Sequence, residues 1–505
     1  MLGRTDRRLR HLALLVVLAL FASALSLRLL YWQVAQADDL RRRAADQQDR
    51  PSLVFAQRGD ITDRRGTLLA TTAYRDLLAA YPDLLAADQR APVARRLATL
   101  LGMDAGPAAD LVATFERGVP YTIVNRRLSA EQSQAVRQAL ASGELAALTL
   151  EPQPVRFYPN PGGAPRTSLA SQLIGFVTED GRGSYGIEQA NQALLSGSSG
   201  STAALDGVAA PAGDGADIEL TIDASLQLRL EKELYAVWVA DHAKRASAVV
   251  MDPYSGAVLA WASVPGYDAN SYGRVATSSP TLFVDPLASE LYEPGSVMKM
   301  LTVAAALERG LVRPDTIIDD EGSIEFGGTS IRNSDKRGMG PITVAEVLAY
   351  SRNVATAKIA AGLGEDTDEA AAALYGMWQR LGLGRPSGVG VSNEAGGLVA
   401  DPQDTRWSPV DLANRSFGQG VAVTQVQLAA AYAAMVNGGR LVQPHLVAAV
   451  DGQPVTATEG AQVFEPELAD TLRDLLTSNL GIVDHVAQRT HIAGYVVGGK
   501  TGTAQ

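Results

Sequence analysis

The first strong pattern in the chain is an apolar run over residues 12–32, in which Arg28 is the one charged residue. At 1.5 Å per residue, a helix of this length crosses a bilayer core of ~30 Å. Basic residues precede the run, which favours a cytoplasmic N-terminus and an exported remainder. These residues are Arg4, Arg7, Arg8 and Arg10. The pattern therefore predicts a single transmembrane anchor.

Two features of this region favour other interpretations. Arg41, Arg42 and Arg43 place positive charge on the far side of the run as well. Residues 22–24, Ala-Ser-Ala, have the form of a signal-peptidase site, which would make the run a cleaved signal peptide. The apolar stretch continues well past that site, so an uncleaved anchor is the preferred prediction.

The pattern weakens after the anchor. Residues 38–50 are charged and helix-prone, which predicts a spacer. From residue 51 to about residue 196, short β-like runs alternate with polar helical stretches such as 130–145, and this favours an α+β domain. Residues 197–215 are rich in glycine, serine and alanine and have no apolar period, so they predict a linker and a domain boundary.

Regular elements return beyond the linker. Residues 217–222 alternate like a strand, and residues 224–239 repeat apolar side chains at helical spacing. Residues 246–251 and 257–262 flank a turn that contains proline and glycine, which is typical of a β-hairpin. Alanine-rich helical runs are expected at about 300–309, 343–361 and 424–436. The second half is therefore predicted to be a mixed sheet covered by helices.

Composition narrows the functional classes. The 505 residues are 46% hydrophobic and 20% charged, which indicates a globular protein of several domains. The 44 basic and 55 acidic residues give a net charge of −11, which argues against a nucleic-acid surface. The absence of cysteine excludes disulfides, thiolate nucleophiles and cysteine-ligated metals. The five histidines lack HExxH spacing, so no metal site is predicted.

A serine and a lysine three residues apart form the first chemical motif. The segment 293–299 begins with a turn dipeptide and leads into an apolar helical run, which places Ser296 at the first turn of a helix. Positions i and i+3 share one helix face, so Lys299 can bring its amine to the Ser296 hydroxyl. A lysine among apolar residues can lose its proton by desolvation and act as the base that a serine nucleophile needs. The alternative is that Ser296 caps the helix and Lys299 is solvated.

A second serine motif opens another helical run. Ser351 and Asn353 flank Arg352 at the start of this run. Taken alone, this motif favours the structural interpretation, an N-cap serine with an incidental asparagine.

A lysine-threonine-glycine motif lies near the end of the chain. Residues 495–497 are strand-like, and glycines in such a strand let a ligand approach closely. Lys500 can hold a carboxylate there, and the Thr503 N–H can complete an oxyanion hole. Residues 494–501 also satisfy G-x-x-x-x-G-K-[ST], but a phosphate-binding loop needs a strand before it and a helix after it. Because Gly502 follows at once, nucleotide binding is the less favoured alternative.

Taken in order, S-x-x-K, S-x-N and K-T-G form the active-site set of serine enzymes that react with β-lactams and with D-alanyl-D-alanine peptides. With these motifs the sequence resembles the penicillin-binding proteins, and among them class B, the membrane-anchored monofunctional peptidoglycan D,D-transpeptidases. Further segments resemble blocks of the class B non-catalytic domain. They are 58–70, with Arg65 where asparagine is frequent, and 156–159, 170–176 and 185–188.

Three other segments narrow the resemblance. Residues 293–296, 417–420 and 423–428 are similar to the FtsI-like enzymes of cell division and to sporulation relatives. The main alternative to the division type is a class B enzyme of the elongation type. The resemblance implies a location in the cytoplasmic membrane, with a single pass and an extracytoplasmic catalytic domain.

The resemblance implies an α+β fold with a single N-terminal transmembrane helix, an elongated α+β pedestal and a transpeptidase domain of the penicillin-binding and serine β-lactamase type, which has mixed helices on an antiparallel sheet. The implied parts are a cytoplasmic tail 1–11, an anchor 12–32, a juxtamembrane spacer 33–50, a dimerisation-type pedestal 51–196, a linker 197–216 and a transpeptidase domain 217–505. The family continues after the K-T-G strand with two more strands and a long helix, so we expect a C-terminally truncated chain.

The resemblance also implies the roles of the site residues. Neutral Lys299 takes the proton of Ser296, which attacks the penultimate D-alanine carbonyl of a stem peptide, while Ser351 relays a proton to the leaving amine. The oxyanion hole is formed at Ser296 and Thr503. The substrate-binding residues are Asn353, Lys500, Thr501, Gly502 and Thr503. An amine of a second stem peptide resolves the acyl-enzyme, β-lactams acylate Ser296, and no metal or organic cofactor is needed.

Other functions remain open from the sequence. A D,D-carboxypeptidase, or an enzyme that hydrolyses or senses β-lactams, would use the same acylation chemistry. A scaffold that recruits division or elongation membrane proteins would use the anchor and the domain at 51–220, with catalysis secondary. No nucleic-acid partner is expected.

Overall fold

The structure of the chain is a computed structural model that describes residues 7–37, 53–54, 56–198, 200–201, 213–456 and 458–503. The predicted spacer at residues 38–50 lies outside the described residues, and so does most of the predicted linker. The described part divides into two compact units, an N-terminal one and one that joins Gln57–Ser196 to Gly215–Gln505. The boundaries of the tail, anchor, spacer, pedestal, linker and transpeptidase domain stay a prediction.

The N-terminal unit contains one long helix, Arg7–Leu30, which continues as a π-helical turn, Tyr31–Ala35. Its large apolar side chains are exposed, so no protein core covers them. The stretch His11–Val34 is long and apolar enough to cross a membrane. The predicted helix over residues 12–32 is therefore confirmed. In the same unit, the two-residue strands Leu53–Val54 and Gly200–Ser201 pair in antiparallel fashion.

The pedestal combines two long strands and several short ones with helices. Its strands are Ile61–Thr62, Leu68–Ala80, Thr122–Asn125, Leu148–Phe157, Phe176–Val177 and Gly183–Ser184. Its α-helices are Ala87–Leu101, Ala105–Glu116, Ala130–Ala141, Ser171–Ile174, Gly186–Ala190 and Gln192–Leu195, with a 3-10 turn at Pro82–Leu84. The strand Leu68–Ala80 pairs with Leu148–Phe157 along ten residue pairs. Leu78, Phe115 and Val136 form part of a core between this sheet and the helices.

One sheet of seven strands extends from the pedestal into the second half of the chain. The strand Ile218–Leu220 lies parallel to Ile61–Thr62 and antiparallel to Val447–Val450, which pairs with Gln453–Pro454. Residues from both predicted domains thus share backbone hydrogen bonds. The buried Glu231 also connects the second half to the pedestal. Its carboxylate accepts hydrogen bonds from Gly163 N at 2.8 Å and from Ala170 N at 2.7 Å.

The second half is a mixture of helices and short antiparallel pairs. Its strands after residue 220 are Ala246–Met251, Val258–Val264, Ile317–Asp320, Ser323–Phe326, Thr329–Arg332, Gly340–Thr343, Arg440–Leu441 and Ala461–Gln462, besides the two already named. Its α-helices are Ala224–Ala240, Tyr272–Ser278, Pro286–Ser289, Lys299–Glu308, Val344–Ala349, Asn353–Ala361, Thr367–Arg380, Pro409–Ser416, Gln425–Val436, Pro466–Ile482 and Asp484–Thr490. Its 3-10 turns are Ala269–Ser271, Pro280–Phe283 and Gly295–Met298.

Several sequence predictions for this half are confirmed. Ala246–Met251 and Val258–Val264 form the expected antiparallel hairpin, and helices occupy Ala224–Ala240 and Gln425–Val436. The latter begins with a capping box, in which Thr424 and Gln427 satisfy each other's backbone N–H groups.

One predicted helix is wrong as a single element. The run 343–361 forms two helices, Val344–Ala349 and Asn353–Ala361. They are separated at Ser351, whose φ of 57° cannot continue a right-handed helix. The sequence favours helix on both sides of this residue, so the break is imposed by tertiary contacts.

The main core of the second half surrounds the helix Lys299–Glu308, which we call the serine helix. Eight consecutive residues of this helix, from Lys299 to Ala306, are buried. A helix that is buried on all sides packs at the centre of a domain. Six neighbouring helices contribute to its core: Val344–Ala349, Asn353–Ala361, Thr367–Arg380, Pro409–Ser416, Gln425–Val436 and Pro466–Ile482. Residues at the start of the serine helix are therefore fixed by packing on every side.

Candidate active site

A tight turn places Ser296 at the start of the serine helix. The 3-10 turn Gly295–Met298 leads directly into the helix, as the sequence predicted. Gly295 has a φ of 60° and its N–H donates to Gly418 O at 3.1 Å. A Cβ on Gly418 would lie 2.1 Å from Gly295 O, so only glycine lets the two backbones approach this closely. The segment 417–420 thus supports the turn that carries the serine.

Lys299 is fully buried, and its amine is held by neutral acceptors. Its Nζ donates to Ser351 O at 2.5 Å, to Ser351 Oγ at 3.1 Å and to Asn353 Oδ1 at 2.7 Å. The second serine motif therefore faces the first one. The N-cap alternative for Ser351 is wrong, because the helix that follows has Arg352 at its N-cap and no side-chain cap from that residue.

The backbone of Ser351 is strained. Ser351 lies in the left-handed region, which costs a non-glycine residue on the order of 1–3 kcal/mol. In this conformation its carbonyl and its hydroxyl both face Lys299 Nζ. The strained residue therefore supplies two of the three acceptors of the buried amine.

Lys500 reaches the same hydroxyl from the other end of the sequence. Its Nζ donates to Ser351 Oγ at 3.0 Å and to Thr501 O at 2.8 Å. Gly502 lies against the serine turn, since a Cβ there would be 3.0 Å from Val297 Cγ1 and 3.1 Å from Pro294 O. One hydroxyl thus bridges two lysine amines that are about two hundred residues apart in sequence.

Burial lowers the pKa of both lysines, and like charge acts on Lys299 as well. Burial lowers the pKa of Lys299 well below its usual range, and the positive charges of Lys500 and Arg352 lower it further, while Asp320 opposes them. Burial lowers the pKa of Lys500 to about 8. Because desolvation penalises the charged form of an amine, the site favours a neutral Lys299 that can accept a proton.

The contact predicted between Lys299 and Ser296 is not formed. Among the hydrogen bonds of the described residues, the Ser296 hydroxyl has no partner, and the Lys299 amine instead bonds to Ser351 and Asn353. In proteins without substrate, catalytic hydrogen bonds are often long and form only when the substrate binds.

The strand predicted at residues 495–497 is also wrong. Residues 495–503 have no regular secondary structure, and Tyr495 and Val496 are exposed. The Gly499 N–H donates to Leu476 O at 2.8 Å, so this segment packs on the helix Pro466–Ile482 instead of joining a sheet. The phosphate-binding loop is not supported either, because the helix Asp484–Thr490 and not a strand precedes it.

A cleft opens beside the serine turn. Its volume is about 470 Å³, and it is lined by Tyr292, Glu293, Pro294, Val297, Leu428, Ala429, Tyr432, Lys500 and Gly502. Tyr432 donates its hydroxyl to Val297 O at 2.8 Å, which ties the helix Gln425–Val436 to the turn. Thr501 and Thr503 are exposed. The assigned roles of the threonines, of Gly502 and of the oxyanion hole stay predictions.

Sequence reasoning missed the residues that support the second motif from outside. Asn333 Oδ1 accepts from Asn353 N at 2.8 Å and from Val354 N at 3.1 Å, and so caps the helix Asn353–Ala361. No local signal marks this cap, because Asn333 lies on a different element twenty residues earlier. The buried Asp320 was missed for the same reason.

Comparisons with known proteins agree with this arrangement. The family model "Penicillin binding protein transpeptidase domain" matches residues 246–505, and the "Penicillin-binding Protein dimerisation domain" matches residues 53–205. The chain is 31% identical to the penicillin-binding protein PbpB of Mycolicibacterium smegmatis, covering 99% of this chain and 80% of PbpB. It is 27% identical to a peptidoglycan D,D-transpeptidase FtsI homolog of Mesostigma viride, covering 97% and 85%.

A solved structure is similar over most of the chain. Penicillin-binding protein 3 from Mycobacterium tuberculosis, in complex with aztreonam, has a TM-score of 0.63 at 26% identity. The match covers 88% of this chain and 78% of the other. The similarity therefore extends over both halves of the described chain, the pedestal as well as the site.

Proposed function

Because the chain belongs to the penicillin-binding proteins that carry a transpeptidase domain, we propose that Ser296 is the nucleophile through which it cross-links peptidoglycan. The protein is a peptidoglycan D,D-transpeptidase, an enzyme of serine-type acyl transfer, and it binds β-lactams. Its substrates are stem peptides, a D-alanyl-D-alanine donor and an amine acceptor. The hydrogen-bonded cluster of Lys299, Ser351 and Lys500 beside the Ser296 turn carries the assignment.

The proposed acylation begins with proton transfer. Neutral Lys299 accepts the proton of Ser296, whose oxygen then bonds to the penultimate D-alanine carbonyl carbon. Backbone N–H groups at Ser296 and Thr503 stabilise the oxyanion. The bond to the terminal D-alanine nitrogen breaks, and the Ser351 hydroxyl passes a proton to that leaving amine. Ser351 Oγ is suited to this relay because it already accepts hydrogen bonds from both lysines.

Substrate binding and deacylation complete the proposed cycle. Lys500, with the hydroxyls of Thr501 and Thr503, holds the carboxylate of the donor peptide. Asn353 hydrogen-bonds the peptide backbone. The amine of a second stem peptide then attacks the acyl-enzyme, and Ser296 regains its proton. A β-lactam follows the same first step, but its leaving group stays attached, so the acyl-enzyme persists.

Mass spectrometry after incubation with benzylpenicillin tests the nucleophile. We expect one covalent adduct on the wild type, located at Ser296, and none on Ser296→Ala. Ser255→Ala is the matched control, because Ser255 lies in the exposed turn of the hairpin at Ala246–Met251 and Val258–Val264. An undiminished adduct on Ser296→Ala would refute the assignment.

We further propose that residues 12–32 anchor the chain in the cytoplasmic membrane, with the catalytic half outside, and that it works in septal wall synthesis with division membrane proteins. The exposed apolar helix and the FtsI-like relatives support this proposal. Since the chain has no cysteine, single-cysteine variants report topology unambiguously. In intact spheroplasts an impermeant maleimide should label Ser255→Cys and leave Thr5→Cys unlabelled; the opposite pattern would contradict the orientation.

A further inference from the structure

The side chain between the two active residues of the second motif points away from the site. Arg352 follows Ser351 and precedes Asn353, both of which contact Lys299, yet its own guanidinium is buried on the opposite side. There it donates from Nε to Asp320 Oδ2 at 2.8 Å and from Nη1 to Asp335 Oδ2 at 2.9 Å, and Nη2 bonds to Arg337 O. The charged Arg352 side chain therefore holds the segment 351–353 from the side away from Lys299.

The partners of Arg352 belong to one stretch, residues 317–343, which we call the wall segment. It contains two antiparallel pairs, Ile317–Asp320 with Gly340–Thr343 and Ser323–Phe326 with Thr329–Arg332. Asp320 has no exposed surface, whereas Asp335 is about half exposed. A buried carboxylate that lost Arg352 would be left without its counter-ion, so Asp320 and Arg352 depend on each other.

The same carboxylate also orients the helix cap. Asp320 Oδ1 accepts from Asn333 Nδ2 at 2.7 Å, which turns the Asn333 carbonyl oxygen toward the N–H groups of Asn353 and Val354. The Asn353 side chain is fixed in turn, because its Nδ2 donates to Arg332 O at 3.0 Å. Its Oδ1 is thereby aimed at Lys299.

We propose that Asp320 and Arg352 are positioning residues for the transpeptidase reaction, and that this buried ion pair holds Ser351 and Asn353 against the Lys299 amine. The proposal rests on the proposed function, in which Lys299 is the base. The pair acts in two ways. It fixes the geometry of the strained residue Ser351, and it balances one positive and one negative charge behind the base.

The charges of Asp320 and Arg352 also act on the pKa of Lys299. A purely structural role of the pair would leave this pKa unchanged. The charged groups that act on Lys299 are Lys500, Arg352 and Asp320, and the first two lower its pKa while the third raises it. Removing Asp320 should therefore lower the pKa of Lys299, and removing Arg352 should raise it. The rate of β-lactam acylation reports this pKa as its acidic limb.

The experiment measures acylation by fluorescent penicillin against pH for four full-length proteins: wild type, Asp320→Asn, Arg352→Met and Glu321→Gln. Both variants of the pair should acylate about 10-fold to 100-fold more slowly, since small misplacements of reacting groups cost rates of this order. The acidic limb should move to lower pH in Asp320→Asn and to higher pH in Arg352→Met. Glu321→Gln is the matched control, because Glu321 neighbours Asp320 but pairs with Lys358 at the surface; it should behave as wild type.

Unshifted limbs, or shifts in one direction for both variants, would overturn the proposal. Thermal melting identifies any variant that does not fold. If Asp320→Asn or Arg352→Met does not fold, the Arg352→Lys variant tests the proposal instead. This variant keeps the charge but loses the planar fork, so we expect a slower rate with an unmoved limb, and a wild-type rate would overturn the proposal. Labelling of the wild type at Ser296 is checked first, so failure of the proposed function is distinguishable from failure of this inference.

Discussion

Two buried clusters of charge in this protein are built in opposite ways. In the pedestal, Glu188 is fully buried between two arginines, with Arg58 Nη2 at 2.6 Å and Arg156 Nε at 2.6 Å from its carboxylate. In the active site, Lys299 is equally buried, but its amine contacts a carbonyl, a hydroxyl and an amide oxygen. Glu188 is thus paired with opposite charges, whereas the Lys299 amine contacts only neutral acceptors.

The difference separates a structural role from a chemical one. Ion pairing stabilises the charged forms of buried groups, so the pedestal cluster holds strands and helices together without exchanging protons. Neutral acceptors do not offset the desolvation of an amine, so Lys299 is driven toward its neutral form. At Lys299 the lack of a direct counter-ion therefore suits proton transfer, whereas the paired charges around Glu188 suit a structural role.

The largest expected effect follows from removing the buried amine. Lys299→Met should lower the rate of penicillin acylation by about 10²–10⁴-fold, the usual contribution of a general base. Its melting temperature should fall only modestly, because the lost amine leaves behind three neutral, partly exposed acceptors and no buried partner ion. Stopped-flow labelling measures the rate, with the exposed Lys244→Met as control. A fully active Lys299→Met would remove Lys299 from the mechanism.

In the pedestal we expect the opposite result, a loss of stability without a loss of acylation. Glu188→Gln leaves two buried arginines without their counter-ion and should lower the free energy of unfolding by about 3–5 kcal/mol. Folded protein should still acylate at the wild-type rate. Urea unfolding measures the loss, and Glu144→Gln, which breaks an exposed pair with Arg96, should change it by less than about 1 kcal/mol. Equal losses in both variants would contradict the comparison.

A smaller effect concerns the second lysine of the site. Lys500 is proposed to bind a carboxylate as a cation, and its pKa is lowered to about 8, so acylation should decline above that pH. In Lys500→Arg, which stays protonated, this alkaline decline should disappear. Acylation rates between pH 6 and pH 10 test this, and an identical alkaline limb in both proteins would exclude Lys500 as its source.

The same shift affects stability in a defined direction. An unfolded lysine keeps a pKa of roughly 10.4. Between about pH 8 and that value, the unfolded chain binds a proton that folded Lys500 has released, so the free energy of unfolding should rise with pH through this window. Below the folded pKa both states carry the proton and the contribution of Lys500 levels off at its least favourable value.

Local patterns made much of the fold predictable. The N-terminal helix, the hairpin and the helix Gln425–Val436 follow from an apolar run, turn residues and an alanine-rich run. The helix break at Ser351 could not be predicted from local sequence, because contacts with Lys299, which is distant in sequence, hold the left-handed backbone of Ser351. The segment at 495–497 has strand-like residues, but the following glycines pack on a helix.

The candidate site was predictable as a set of residues and not as a network. The spacing of Ser296 and Lys299 correctly suggested a common helix start, yet the amine of Lys299 bonds across to another element. The supporting residues Asp320 and Asn333 carry no motif of their own. Their function depends on where the wall segment folds, which only tertiary packing determines.

The most direct test of the central claim gives Lys299 the kind of partner that the pedestal gives its arginines. Asn353→Asp puts a carboxylate oxygen where an amide oxygen now lies 2.7 Å from Lys299 Nζ. The pH dependence of penicillin acylation is then compared with wild type and with Asn125→Asp, which adds a carboxylate in the pedestal. The account predicts an acidic limb moved to higher pH in Asn353→Asp alone. An unmoved limb would contradict it.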